Sequence, residues 1–256
     1  MKKTAFADRN VFVNCPMPYS SLYNILFLDI ETVPQHENHQ NLPDAWKTLW
    51  ELKATYLLRN RENETAETIY SRAGIYAEFG KIICISCGVL QENGSARKLV
   101  LKSFYGDDEK ILLLEFSEML NRWCANETRS LCAHNGKEFD FPYLCRRMVV
   151  NHVPIPPVLQ LSGKKPWEVN HLDTLELWKF GDFKSYTSLN LLAYTLGIPT
   201  PKDDIDGSMV HEVYWKDKNM TRIVNYCQKD VVTVAQIFLR MNGEPLLSES
   251  SIEIKG

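Results

Sequence analysis

The segment Asn24–Ile30, NILFLDI, constrains the fold more than any other stretch of the chain. It is a nearly unbroken apolar run of strand length, and such a run reads as a strand covered on both faces. Acids close it. Asp29 and Glu31 stand two apart, so on a strand both side chains project from one face at its carboxyl end. Carboxylates there need solvent, a hydrogen bond or a cation. For a D-x-E taken alone, simple solvation where the strand surfaces is the better reading.

The pattern downstream alternates helix and strand. Residues 38–79 are polar and charged with helical stretches, in which Trp46, Leu49, Leu52 and Leu57 recur at three- and four-residue steps; they read as a helical insertion after the first strand. Lys81–Leu90 and Ala96–Phe104 form a strand pair across QENGS, which carries the Asn-Gly hairpin signal. Asp107 and Asp108 open a helix bearing Leu113, Phe116, Leu120 and Trp123, and Ser130–Ala133 is a short strand before a helix from about Asp140 to Val150. After a Pro-rich loop, His171–Leu175 reads as a strand. Helices follow over Thr187–Leu196 (stopped at Gly197), Ser208–Trp215 and Asn219–Arg240. This predicts one α/β domain over residues 21–243 with a mixed central sheet of about five strands. Residues 1–20 are expected to be a mobile leader and residues 244–256 a mobile tail.

Composition excludes several classes. A hydrophobic fraction of 45% and a charged fraction of 24% are those of a globular domain, and a net charge of −3 gives no global basic field for coating nucleic acid. The N-terminal Lys pair is not followed by an apolar signal region, because Asp8, Arg9 and Asn10 interrupt it, and no run is long enough to span a bilayer. Of the seven cysteines, Cys84 and Cys87 form a C-x-x-C, but in a strand their side chains point to opposite faces and no second pair follows at zinc spacing. Reduced thiols in a cytoplasmic protein are the expectation.

Two further acids attract notice. Asp140, in AHNGKEFDFPYL, opens a helix, where a capping role is the plain alternative; Phe139, Phe141 and Tyr143 read as core, and Asn135 as a turn residue or a substrate contact. Tyr226 and Asp230 lie four apart on a helix, hence on one face, beside an apolar stripe of Ile223, Cys227, Val231, Val234 and Phe238. An unpaired acid at that border is unfavourable.

In this order and spacing, LFLDIET, AHNGKEFDFPYL and YCQKD resemble the DEDD exonuclease superfamily. Tyr226-x-x-x-Asp230 matches its tyrosine subtype, since the histidine subtype would place His where Asn225 stands. EFGKIICIS, HLDTLELW, SLNLLAYTLGIP, KDDIDGSMV and YCQKDVVTV are similar to predicted exonucleases related to the proofreading domain of family B DNA polymerases. The resemblance implies a ribonuclease H-like, three-layer α/β/α fold. It implies a 3′–5′ exonuclease that hydrolyses phosphodiester bonds of nucleic acid, single-stranded DNA 3′ ends above all, with two Mg²⁺ or Mn²⁺ ions. The metal set would be Asp29, Glu31, Asp140 and Asp230, with Asp29 bridging the ions, Glu31 and Asp230 completing the first site and Asp140 helping to hold the second.

Oxygen-only ligands suit hard cations rather than zinc. Tyr226, with an ordinary pKa near 10, is a poor base and better suited to orienting the attacking water by a hydrogen bond. Asp173 in HLDT is left out of the metal set as a structural residue. Asp203, Asp204 and Asp206 lack an EF-hand's later Glu and read as turn chemistry. Lys164, Lys165 and Trp167 suit phosphate contact and stacking on a strand, an ordinary solvated loop being the equal alternative. An exoribonuclease with the same site, or a nucleic-acid-binding relative without catalysis, are the competing functions.

Overall fold

The first strand, β1 (Ile25–Pro34), takes the central position that its composition requires. In the computed structural model, which describes residues 22–94, 96–125, 129–182, 184–199 and 205–255, β1 pairs on both sides. β2 (Gly80–Asn93) lies antiparallel on one side, and β4 (Ser130–Ala133) lies parallel on the other. β3 (Ala96–Tyr105) returns antiparallel to β2 past Gly94, whose φ of 61° is the left-handed conformation that the Asn-Gly signal anticipates. β5 (Leu172–Asp173) and β6 (Ile252–Lys255) complete the edges, giving the order β5-β4-β1-β2-β3-β6. The expected leader and the acids Asp203 and Asp204 lie outside the described residues.

Alternation along β1 explains the three layers. Leu26, Leu28 and Ile30 pack with Leu113, Phe116 and Leu144 from α2 (Glu109–Trp123) and α3 (Asp140–Val150). Ile25 and Phe27 face Val231, Val234 and Phe238 of α7 (Met220–Met241), the Phe27 and Phe238 rings meeting edge-on at 5.7 Å. Each such fully buried side chain contributes about 1.5–3 kcal/mol relative to exposure. The layers are those of the expected ribonuclease H-like α/β/α fold.

The sheet has six strands rather than about five. The sixth comes from the segment expected to be a tail: Ile252–Lys255 pairs in parallel with Leu99–Lys102 and covers the otherwise open edge of β3. Its polar lead-in, SESS, hides a four-residue strand from pattern reading. The connection is pinned where Gln236 Nε2 donates to Leu247 O at 2.8 Å and Leu247 N donates to Gln236 Oε1 at 2.9 Å. At the opposite edge β5 stops at Asp173, where a strand to Leu175 is expected, because the Asp173 carboxylate caps α4 (Thr174–Lys179) through the N–H groups of Leu175 and Glu176.

Residues 38–79 form α1 (Asp44–Leu57) and 3₁₀ turns around a small core of their own. Trp50 is wholly buried there, edge-on to Tyr70 and Phe79, and donates to Ala66 O at 2.7 Å. The buried face of α1 carries Trp50 and Ala54, whereas Trp46, Leu49 and Leu52 point outward. Two shorter helices, α5 (Leu189–Thr195) and α6 (Val210–Trp215), pack beside α7. Among the described residues no helix is long and apolar enough to cross a membrane.

Candidate active site

Asp29 and Glu31 lie midway along β1, which continues past its expected end at Ile30 to Pro34, and the ladder with β2 slips between Glu31 and Thr32. Such irregularities re-aim side chains and end pairing. Both residues fall on the face crossed by α7. Cys227 of α7 donates its thiol to the backbone oxygen of Asp29 at 3.4 Å, docking the turn that carries Tyr226 and Asp230 against β1. Asp140 arrives from another direction. It is the first residue of α3 and is only 4% exposed, with Phe139 rather than Asp140 at the cap position. Pairing of β4 with β1 stops at Phe27, so the edge of β1 beyond it is open where Asp140 arrives, and nearby backbone N–H groups, that of Ile30 among them, favour the Asp140 carboxylate.

The electrostatics show the four acids to be neighbours. Burial, then Glu31, Asp230 and Asp140, push the Asp29 carboxyl well above the ordinary carboxylate range. Glu31 is raised by burial and then by Asp230, Cys84 and Asp140. Asp140 is pushed up to about 7 by burial, with Asp173 and Asp230 adding to the rise and backbone N–H groups opposing it. Tyr226 is raised by burial and by Asp230, Glu31 and Asp29, and it hydrogen-bonds to Asp230. Its phenol therefore stays protonated and serves as a donor.

This arrangement fits a cation. Asp29 Oδ2 is enclosed and has no hydrogen-bond partner among the described residues, and no Lys or Arg pairs with Asp29 or Glu31 there. Like charges confined together favour protonation unless a positive charge neutralises them. One oxygen each of Asp29 and Glu31 and the Cys227 sulfur lie within 4.8 Å of one another. Cys227 and its neighbour Cys84, both fully buried, are site residues that sequence reading places only in the core. Their signal was present in position alone, since Cys227 follows Tyr226 and precedes Asp230 by three.

The remaining candidates stand apart from the carboxylates. Asn135, at φ 62°, starts the loop that ends at Asp140, and with Lys164 it lines a cleft of about 370 Å³. Lys165 and Trp167 are exposed, the ammonium lying 5.2 Å from the ring centroid. Asp173 has a purely structural set of bonds: its carboxylate accepts from the N–H groups of Asn135, Lys137, Leu175 and Glu176. Asp206 likewise bonds Ser208 in a turn.

Among solved structures, the chain is similar to the RNase domain of the yeast Pop2 protein, at 13% identity over 87% of this chain and 78% of that one, with a TM-score of 0.42. It is also similar to a chain in the structure of the yeast NOT1 MIF4G domain co-crystallised with CAF1, at 15% identity over 81% of this chain and 79% of that one, with a TM-score of 0.37. No curated protein matches the chain. A family model does match, over residues 75–248, a span that includes Asp140, Tyr226 and Asp230 and begins after β1. The chain belongs to the family of predicted 3′–5′ exonucleases related to the exonuclease domain of PolB.

Proposed function

We propose that the chain removes nucleotides from the 3′ ends of nucleic acid, single-stranded DNA first, at Asp29, Glu31, Asp140 and Asp230 with Tyr226. The observation that carries this reading is the enclosed, unpartnered Asp29 Oδ2 amid three other carboxylates. Asp29, Glu31 and Asp230 would hold one divalent ion and Asp140 would help to hold a second, Mg²⁺ or Mn²⁺ by the oxygen-only donors. When bound, such ions neutralise the phosphate, lower the pKa of water and stabilise the leaving oxygen.

The chain's own groups do the rest. The protonated Tyr226 hydroxyl directs its single O–H at Asp230, and its oxygen accepts a hydrogen bond from the attacking water and so orients it. Glu31, only 7% exposed, shares in positioning it. Attack on phosphorus expels the 3′ oxygen of the preceding nucleotide, so the product is a 5′-mononucleotide. The free cysteines support a reducing compartment as its setting.

The test is digestion of 5′-labelled single-stranded DNA, duplex DNA and RNA with Mn²⁺. A ladder shortening from the 3′ end is expected, fastest on single-stranded DNA; faster loss of RNA would reassign the polymer and leave the chemistry. Asp29→Ala and Asp230→Ala should abolish the ladder. Full activity in Asp29→Ala would refute the assignment.

A further inference from the structure

Between the loop 135–139, the segment 161–169 and α4 lies the cleft of about 370 Å³ already noted. Phe141, the residue after Asp140, forms part of its wall, so the cleft and the carboxylate cluster share one structural element. Lys164 and Lys179 line it. Two exposed aromatic residues lie close by in sequence: Phe180, 87% exposed, follows Lys179, and Trp167, 77% exposed, stands two after Lys165, whose ammonium lies over its ring.

Phe180 is the odder of the two. It ends α4 in the left-handed region, at φ 44° and ψ 34°, a place that glycine or asparagine fills without strain. A bulky aromatic there is uncommon and unfavourable, and a ring 87% exposed gains little burial to offset the strain.

The charges around the cleft are mostly accounted for on the acidic side. Asp173 is occupied by four backbone N–H groups, Glu176 pairs with Lys137 at 2.6 Å, and Glu168 accepts from the Lys165 N–H at 2.8 Å. Glu138 is the exposed acid that remains at the rim. Lys164, Lys165 and Lys179 form no ion pair among the described residues. Ammonium groups without an ion-pair partner near exposed aromatic rings are complementary to a chain of phosphates and unstacked bases. A duplex hides its base faces in the stack, so it offers the aromatic rings nothing. A membrane surface would meet such residues on a convex face, whereas Lys164 and Lys179 line a concavity walled in part by α3, the helix that Asp140 opens.

We propose that this cleft and its rim form a docking track for an unpaired nucleic-acid strand, with Trp167 and Phe180 stacking on bases and Lys164, Lys165 and Lys179 contacting phosphates. The track deepens the nuclease reading, rests on it for the identity of the substrate, and is tested separately from it.

The test is fluorescence anisotropy of a labelled twelve-nucleotide oligothymidylate and of a blunt hairpin duplex, in Ca²⁺ buffer with the full chain. Wild type should prefer the single strand. Phe180→Gly, which relieves the left-handed strain and so does not threaten folding, should weaken single-strand binding roughly tenfold, as should Trp167→Ala. Lys179→Ala should lower the slope of log affinity against log salt by roughly 0.7. Hydrolysis by wild type of the 4-nitrophenyl ester of thymidine 5′-monophosphate with Mn²⁺, which spans no track, tests the nuclease reading by itself. Wild-type affinity in both ring variants would overturn the proposal. So would loss of binding to phosphatidylserine vesicles with oligonucleotide affinity unchanged. If wild type binds the oligonucleotide through Phe180 but hydrolyses neither polymer nor ester, the track stands and the nuclease reading falls.

Discussion

Replacing Asp140 by Asn should stabilise the metal-free protein while crippling its activity, and the size of the effect follows from the structure. The Asp140 carboxyl is 4% exposed, and burial together with Asp173 and Asp230 moves its pKa from 3.8 to about 7. A raised carboxylate pKa means that the folded state holds the proton more tightly than the unfolded chain. The associated stability is complete below pH 3.8 and is lost progressively as pH rises to about 7. At 1.36 kcal/mol per pH unit, ionised Asp140 costs the fold up to about 4 kcal/mol at pH 8 and about 2 kcal/mol at pH 5.5. Asn has nearly the same shape and carries no charge. In EDTA at pH 8 its melting temperature should therefore exceed that of wild type, by about 2–4 °C for each kcal/mol realised. The gain should shrink on acidification and vanish near pH 4. Saturating Mn²⁺ should reverse the order, because the ion binds wild type more tightly and stabilises it by mass action. An Asp140→Asn protein that is less stable than wild type in EDTA at pH 8, or a difference independent of pH, would refute the electrostatic account.

Three other outcomes are expected. Tyr226→Phe should keep a 3′-shortening activity reduced roughly ten- to a hundredfold in kcat with little change in KM, since it removes an orienting hydrogen bond and no charge; steady-state kinetics on labelled oligonucleotide checks this. Arg147→Met should destabilise by about 3–5 kcal/mol in urea unfolding, because it strands the buried Glu109 carboxylate. That carboxylate takes two bonds from Arg147, at 2.8 and 2.6 Å, and one from the Ile82 N–H at 2.7 Å, tying α2 and α3 to β2. His171 is held neutral, its pKa lowered from 6.5 to about 4 chiefly by burial, with Nδ1 accepting from the Leu131 N–H. The folded state thus resists protonation, and stability should fall by up to about 3 kcal/mol as pH drops from 6.5 to 4. In a His171→Asn variant, unfolding across that range should show a correspondingly smaller slope.

The central strand and the two acids on it were legible because burial is demanding. A run such as Ile25–Leu28 has few stable placements, and carboxylates at its end need an explanation. Asp140 was legible as a helix-opening acid, but sequence alone left capping open. The structure shows Phe139 at the cap position and Asp140 among the other acids, beside an edge of β1 that is open because β4 is short. What escaped reading had no periodic signal. β6 is four residues behind a polar lead, and β5 is cut short by Asp173, whose side chain competes with the strand by capping α4. On α1 the three- and four-residue steps fit two faces, and the insertion's own core selected Trp50 over Trp46 and Leu49.

The same contrast separates the chemistry from the binding surface. Acids brought together at Asp29 Oδ2 are unfavourable for the metal-free fold, and their electrostatics alone point to a cation. The rim of the neighbouring cleft is built of lysines and aromatics, which are ordinary anywhere on a surface. Their meaning depends on what leaves Phe180 uncovered in a left-handed turn, and a linear pattern does not encode that. A reactive centre is thus constrained by energies that show in residue type, whereas a strand-docking face is constrained by exposure and concavity, which only the folded chain displays. Substitutions at the acids should accordingly alter stability and turnover together, while those at Trp167 and Phe180 should act first on affinity for the polymer.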